Sequence, residues 1–286
     1  MPNSSSILVI ARLTFREAAR RKILLAALLL SLVFLTVFGV GTHLIVVNLE
    51  AEMGSTRVLE LNEFRNFLLM AGMYVVNFLT VMLTVLTSVD TLSGEIASGA
   101  IHTLAAKPIR RWEIVLGKWL GFAGMISLYL LLMGGGVMAL IYLLSGYHAP
   151  HPLPALAMIW LNALILLSVS LLGGARLSTL ANGVLVFGLY GIAFIGGWIE
   201  QIGAYLPSSA GGQAAVNVGI ITSLILPSEA LWKRAAHELE SPLASMLGFS
   251  PFTSSGYPST LMIVYAVLYL AVAVALAVHQ FNRRDL

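Results

Sequence analysis

Histidines come first, because imidazole is the commonest general base and metal ligand near neutral pH. The six stand scattered, at His43, His102, His148, His151, His237 and His279. His237-Glu-Leu-Glu lacks the second histidine that a zinc-protease helix requires. His148 and His151 lie close together in a predicted turn and could hold a metal weakly, but a solvated loop pair is the simpler reading. There is no cysteine, which excludes thiolate nucleophiles, disulfides and cysteine-ligated metals. The run Gly134-Gly135-Gly136 follows no strand and precedes no Lys-Ser or Lys-Thr, so it reads as a packing or kink site rather than a phosphate loop. No catalytic, cofactor-binding or metal-binding set emerges.

The elements that carry these residues belong to a membrane. Of 286 residues, 58% are hydrophobic and 10% charged, against roughly 25% charged in an average soluble domain. A surface so poor in charge must face lipid. The formal charge of +3 is too small to suggest nucleic acid as a partner. A span needs about 20 mostly apolar residues, and six runs qualify: 23–47, 67–89, 119–144, 153–172, 180–199 and 261–278. The fifth carries Asn182 at one end and five glycines. A shorter apolar piece at 210–226, broken by Gly211, Gly212, Gln213 and Asn217, reads as a re-entrant or interfacial helix. It falls in a long outer region, 201–260, with a short helix expected over Ser228–Leu239. The chain reads as one all-α transmembrane domain.

Basic residues orient these spans. With the N-terminus inside, the inner segments hold Arg12, Arg16, Arg20, Arg21, Lys22, Lys107, Arg110, Arg111, Lys118, Arg176, Arg283 and Arg284. The outer segments hold only Arg57, Arg65, Lys233 and Arg234. Twelve against four favours inside termini and six spans, because a seventh would put Arg283 and Arg284 outside. The first apolar run is too long for a cleavable signal peptide. Before it, residues 5–22 form a helix with Arg12, Arg16 and Arg20 on one face and Ile7, Ala11, Phe15 and Ala18 opposite. Such a helix lies in the interface with its arginines toward headgroups. Val9 and Leu13 fall on the arginine face and spoil the pattern.

The inner stretch 90–118 reads Asp90-Thr-Leu-Ser-Gly-Glu95-Ile-Ala-Ser-Gly99-Ala-Ile-His-Thr-Leu104-Ala-Ala-Lys-Pro108-Ile-Arg-Arg111, then Gly117-Lys118. Glycine permits a tight bend at 99, and Pro108 stops a helix and extends the residue before it. A short helix protruding between two spans is the expected result. Asp90 and Glu95 could simply pair with nearby arginines.

This stretch resembles the loop after the second span of type-2 ABC transporter permeases, D-x4-E-x3-G-[TS]-x3-L-x3-P-x2-R followed by G-K. Asp90, Glu95, Gly99, Leu104, Pro108, Arg111, Gly117 and Lys118 match in type and spacing, while Ala100 replaces the usual threonine. With the interfacial helix and six spans, the resemblance extends over essentially the whole chain. The similar permeases include those of nitrous-oxide-reductase copper-site maturation and of drug or antibiotic export. The resemblance implies that 90–118 is a coupling helix, with Asp90, Glu95, Gly99, Leu104, Pro108 and Arg111 at the ATPase contact. It implies that ATP and Mg are bound by a separate nucleotide-binding subunit, since this chain has no Walker-type loop. It also implies a second permease copy, identical or paralogous, with the first and fifth spans at the contact.

Asn77, Thr80, Thr84 and Ser88 form a polar stripe along one face of the second span. By resemblance, the second and fifth spans line the path between protomers, which makes the stripe a candidate lining; helix–helix hydrogen bonding is the alternative. Gly117-x-x-x-Gly121 and Ala193-x-x-x-Gly197 mark close helix contacts. An ion-driven secondary transporter would place ionisable residues at mid-span, and none falls there. A mechanotransducing complex acting on a periplasmic partner would keep the same coupling loop.

Overall fold

The computed structural model describes residues 4–53, 58–99, 110–207, 211–243 and 258–284. The described residues contain helices and no strand. They are α1 (Ser4–Arg20), α2 (Lys22–Met53), α3 (Val58–Ser88), α4 (Ser93–Ala97), α5 (Arg111–Ser145), α6 (Pro152–Gly174), α7 (Thr179–Tyr205), α8 (Gly212–Ile225), α9 (Ser228–Leu239) and α10 (Thr260–Asn282). Six of these, α2, α3, α5, α6, α7 and α10, are long and apolar enough to cross a membrane.

Local chemistry sets several of the ends. The Glu113 carboxylate accepts from the Arg110 N–H at 3.2 Å, tying off the start of α5. Gly146, with φ at 70°, closes its end in the left-handed region. Pro152 occupies the first turn of α6, where its missing N–H costs nothing. The Ser178 hydroxyl caps α7 by accepting from Ala181 N–H at 3.4 Å.

Helix α3 begins nine residues before its apolar run, within what reads as an outer loop. The early turns persist because their polar groups have partners. Asn66 Nδ2 donates to Leu239 O at 2.7 Å and to Tyr147 Oη at 3.0 Å, and Ser241 Oγ donates to both Glu63 oxygens at 2.6 and 2.7 Å.

The bundle condenses on α6, which packs against α3, α5, α7, α9 and α10. Its apolar window is 72% buried; that of α2 is 6% buried. Met73, Ile126, Met133 and Leu167 form the heart of the core. The turn after α3, the start of α5, the α6–α7 turn and the end of α10 meet on one side of the bundle, the terminal face, and Asn66, Tyr147 and Leu239 mark the far face. Helices α8 and α9 meet at a 105° bend. Helix α8 runs back along α7 from the far face, and α9 returns along α6 to Leu239. The pair therefore enters and leaves on the same face.

Candidate functional site

At the terminal face, α1 docks on α5 through the glycine pair. A Cβ at Gly117 would lie 2.6 Å from Ile10 Cβ, and one at Gly121 would lie 2.7 Å from Ala11 O. The small-residue spacing thus receives the interfacial helix rather than another span. Ile10, Thr14 and Ala18 are buried at this seam, whereas Arg12, Arg16 and Arg20 are exposed. Leu8, Val9 and Leu13 share the exposed side, where apolar residues beside arginines suit the headgroup–acyl boundary.

The turn after α3 is pinned from two sides. Asp90 Oδ1 accepts from Thr179 Oγ1 at 3.0 Å, and Arg21 Nη1 lies 3.9 Å from Asp90 Oδ2. Arg21 also pairs with Glu17 at 2.7 Å. Asp90 folds over Gly94, where a Cβ would sit 2.2 Å from its carboxylate. Ser93 Oγ and Thr179 Oγ1 are 2.9 Å apart.

Glu95 is turned inward. Its Oε1 pairs with Lys118 Nζ, and the Lys118 side chain is only 4% exposed and that of Glu95 19%. Neither arginine pairing nor an outward carboxylate describes it: the buried ammonium of α5 draws the side chain in, leaving Oε2 without a hydrogen-bond partner among the described residues. Gly99 ends the turn with φ at 73°, the left-handed region that glycine enters without steric cost. Leu104 and Pro108 lie outside the described residues. Arg111 Nη1 donates to Asn282 O at 3.2 Å and Arg284 O at 2.6 Å, and Arg284 Nη1 donates to Ala175 O. The start of α5, the α6–α7 turn and the end of α10 are thereby joined at one face.

Asn182 was legible only as a lone amide at the edge of an apolar run. Fully buried, it donates to Val89 O at 3.0 Å and Ser170 O at 2.9 Å, bridging α7 to α3 and α6. Gly173 makes room, since a Cβ there would come within 2.2 Å of its Oδ1. Asn182→Leu is expected to remove two buried interhelical hydrogen bonds at about 0.5–1.5 kcal/mol each, lowering the melting temperature of the purified protein; Asn182→Asp should retain little of the bridge, because a carboxylate donates nothing to a carbonyl.

The polar stripe of α3 lies against α6, inside the protomer. Asn77, Thr80, Thr84 and Ser88 are all buried. Asn162 Nδ2 donates to Asn77 Oδ1 at 3.2 Å, and Ser88 Oγ to Ser170 Oγ at 2.8 Å. Thr80, Thr84 and Ser88 also return their hydroxyls to carbonyls one turn back, each at 2.7 Å. The most buried span covers the stripe, so these side chains form a helix–helix seam and not an open wall.

Sequence reading missed a charged cluster in the far half. Lys233 Nζ of α9 lies 2.8 Å from Glu200 Oε2 of α7, with side chains 4% and 18% exposed. Glu229, buried one turn before Lys233, packs against Gly197, where a Cβ would lie 2.0 Å from its Cγ. The reversal through Gly211, with φ at 87°, is what brings these separated residues together. The two loop histidines separate: His148 stacks edge-on against Tyr142, and His151 Nδ1 lies 3.8 Å from Glu238. Burial raises the phenol of neighbouring Tyr147 above its ordinary pKa, opposed by its hydrogen bond from Asn66.

Comparison with curated proteins gives no match. A family model described as "ABC-2 family transporter protein" matches residues 8–286, from the docked helix through the last span. Since that match runs over nearly the whole six-span bundle and its interfacial helix, the chain belongs to the ABC-2 transporter family, as a membrane-spanning permease component of an ABC transporter.

Proposed function

We propose that this permease is an exporter subunit that receives ATP-driven motion from a nucleotide-binding partner through α4 and passes it to α5. ATP and Mg would bind that partner, and two permease copies, identical or paralogous, would make the path. The basic residues support placing the terminal face in the cytoplasm of a prokaryotic cell, because eleven of the described Lys and Arg residues gather there against Arg65, Lys233 and Arg234 on the far side.

The observation that carries the reading is the Glu95–Lys118 pair. Helix α4 follows α3 without leaving the terminal face, and its one acidic side chain is locked to a buried cation on the next span. A push on α4 therefore reaches α5 through a charge contact held away from water. The seam between α1 and α5 carries the same motion to the interfacial helix. In this reading the stripe on α3 is a stiff packing surface that lets α3 and α6 move as one body.

Glu95→Ala leaves Lys118 buried without its counter-charge. Loss of one partner of a buried pair costs roughly 3–5 kcal/mol, and the partial exposure of Glu95 reduces this to about 2 kcal/mol. The permease purified with its ATPase should then hydrolyse ATP at a rate that substrate no longer stimulates, while Glu60→Ala, on the far face, changes nothing. Full stimulation in Glu95→Ala, or a purified permease that carries no ATPase at all, would refute the proposal.

A further inference from the structure

A groove of about 410 Å³ runs down the outside of the bundle between α6, α7 and α10, in the half nearest the terminal face. Its walls are apolar, chiefly Leu172, Leu185, Leu189, Val272 and Leu276, and its floor is shallow where Gly173 and Ala273 bring the helices close. Leu185, Val272 and Leu276 are exposed, so the groove opens sideways toward acyl chains. Its mouth is different in kind. Arg176 and Gln280 border it, and the guanidinium of Arg176 has no hydrogen-bond or ion-pair partner among the described residues. Arg284 reaches the carbonyl of Ala175, next in the chain to Arg176, and Arg111 reaches the carbonyl of Arg284. Arg176 is thus the cation that lines the mouth of an otherwise mostly apolar slot, and Arg284 and Arg111 are tied to backbone carbonyls of the adjoining turns. Asp90, on the same face, is engaged with Thr179 and Arg21.

We infer that this groove is a binding site for a phospholipid with an anionic headgroup, an acyl chain lying along Leu185, Leu189, Val272 and Leu276 and the phosphate meeting Arg176. Volume and walls suit a chain, since ligand pockets begin near 300 Å³ and are mostly apolar. The planar fork of a guanidinium matches phosphate oxygens two at a time, and basic pockets between spans are known to select acidic headgroups. A choline headgroup would bring its own cation beside Arg176, so net negative charge, and not phosphate alone, is what the site selects. The inference does not depend on the direction of transport.

Native mass spectrometry of the full-length permease, purified with its ATPase and stripped of lipid, tests this with phosphatidylglycerol and phosphatidylcholine of identical chains. Phosphatidylglycerol should be retained on the order of tenfold better. Arg176→Gln, an exposed change, should lower that preference by about fivefold without shifting the melting temperature. Leu185→Trp, which narrows the slot, should reduce retention of both lipids. Equal retention by the unaltered protein, an undiminished preference in Arg176→Gln, or no effect of Leu185→Trp overturns the site. Gln280→Cys, the sole cysteine in such a chain, adds a check: efficient disulfide formation between copies would show that a second permease covers the groove, and the lipid site falls.

Discussion

Lys233→Met is expected to be among the most destabilising single changes in this chain. It removes the one cation from a buried cluster in which Glu200 Oε2 lies 2.8 Å from the ammonium and Glu229 stands a turn away. The Glu200 carboxylate would then stand in a largely enclosed site with nothing to balance it. Breaking such a pair typically costs roughly 3–5 kcal/mol, because the remaining charge keeps its desolvation penalty and loses its compensation. The α8–α9 pair depends on this contact, since α8 meets α7 through small residues at Gly196, Gly203 and Gly219. The expected results are a lower melting temperature and earlier protease cleavage on the far face. Glu200→Gln added to Lys233→Met should recover a large part of the loss, because the stranded charge is gone. A Lys233→Met protein that melts like the unaltered one would mean the pair contributes no stability.

Gly121→Val is expected to lift α1 off α5. The new Cβ would lie 2.7 Å from the Ala11 carbonyl oxygen and 2.7 Å from Thr14 Cβ. The first of these is backbone, so no rotamer change relieves it, and overpacking of this kind costs about 1–3 kcal/mol or more. The chain's lack of cysteine makes the readout clean. Thr14→Cys alone, buried at the seam, should resist a thiol reagent, and adding Gly121→Val should make it react. Gly124→Val is the control, because its nearest neighbour is Phe15 Cδ2 at 3.8 Å. Protection of Thr14→Cys in the Gly121→Val background would show that α1 tolerates the added bulk.

What could be read from the sequence was what repeats along one helix. Apolar runs announce spans because lipid imposes a single requirement on every residue facing it, and the arginine spacing on α1 follows from the helical period. Gly117 and Gly121 announced a close contact, though not that α1 would fill it. What could not be read depends on how helices meet. Glu95 and Lys118 both stood in the coupling stretch, yet their pairing requires α4 to fold back on α5. Glu200, Glu229 and Lys233 look like ordinary outer-region charges, two of them on the helix expected over 228–239, until the reversal through Gly211 brings α9 against α7. The stripe of α3 was legible as polar, but its side chains face whichever helix lies opposite, and that is α6. Sequence periodicity gives the face; only the fold gives the neighbour.

The contrast between α2 and α6 bears on biogenesis. Helix α2 buries 6% of its apolar window against the rest of the chain, and α6 buries 72%. At a gain of roughly 0.3–0.6 kcal/mol for each central Leu, Ile, Phe or Val, α2 partitions into the bilayer on its own account, before any later helix has been synthesised. Helix α6 also inserts by its apolarity, but its buried Asn162, Ser168 and Ser170 face acyl chains until α3 and α5, already synthesised, and α7, which follows, close on it. Asn162 then donates to Asn77 of α3, Trp119 of α5 donates to the Ser168 hydroxyl, and Asn182 of α7 donates to the Ser170 carbonyl. Maturation of this permease therefore has a natural order: α2 is secured in the bilayer early and alone, and the late step is the closing of its neighbours around α6, where a nascent chain is most exposed to quality-control proteases.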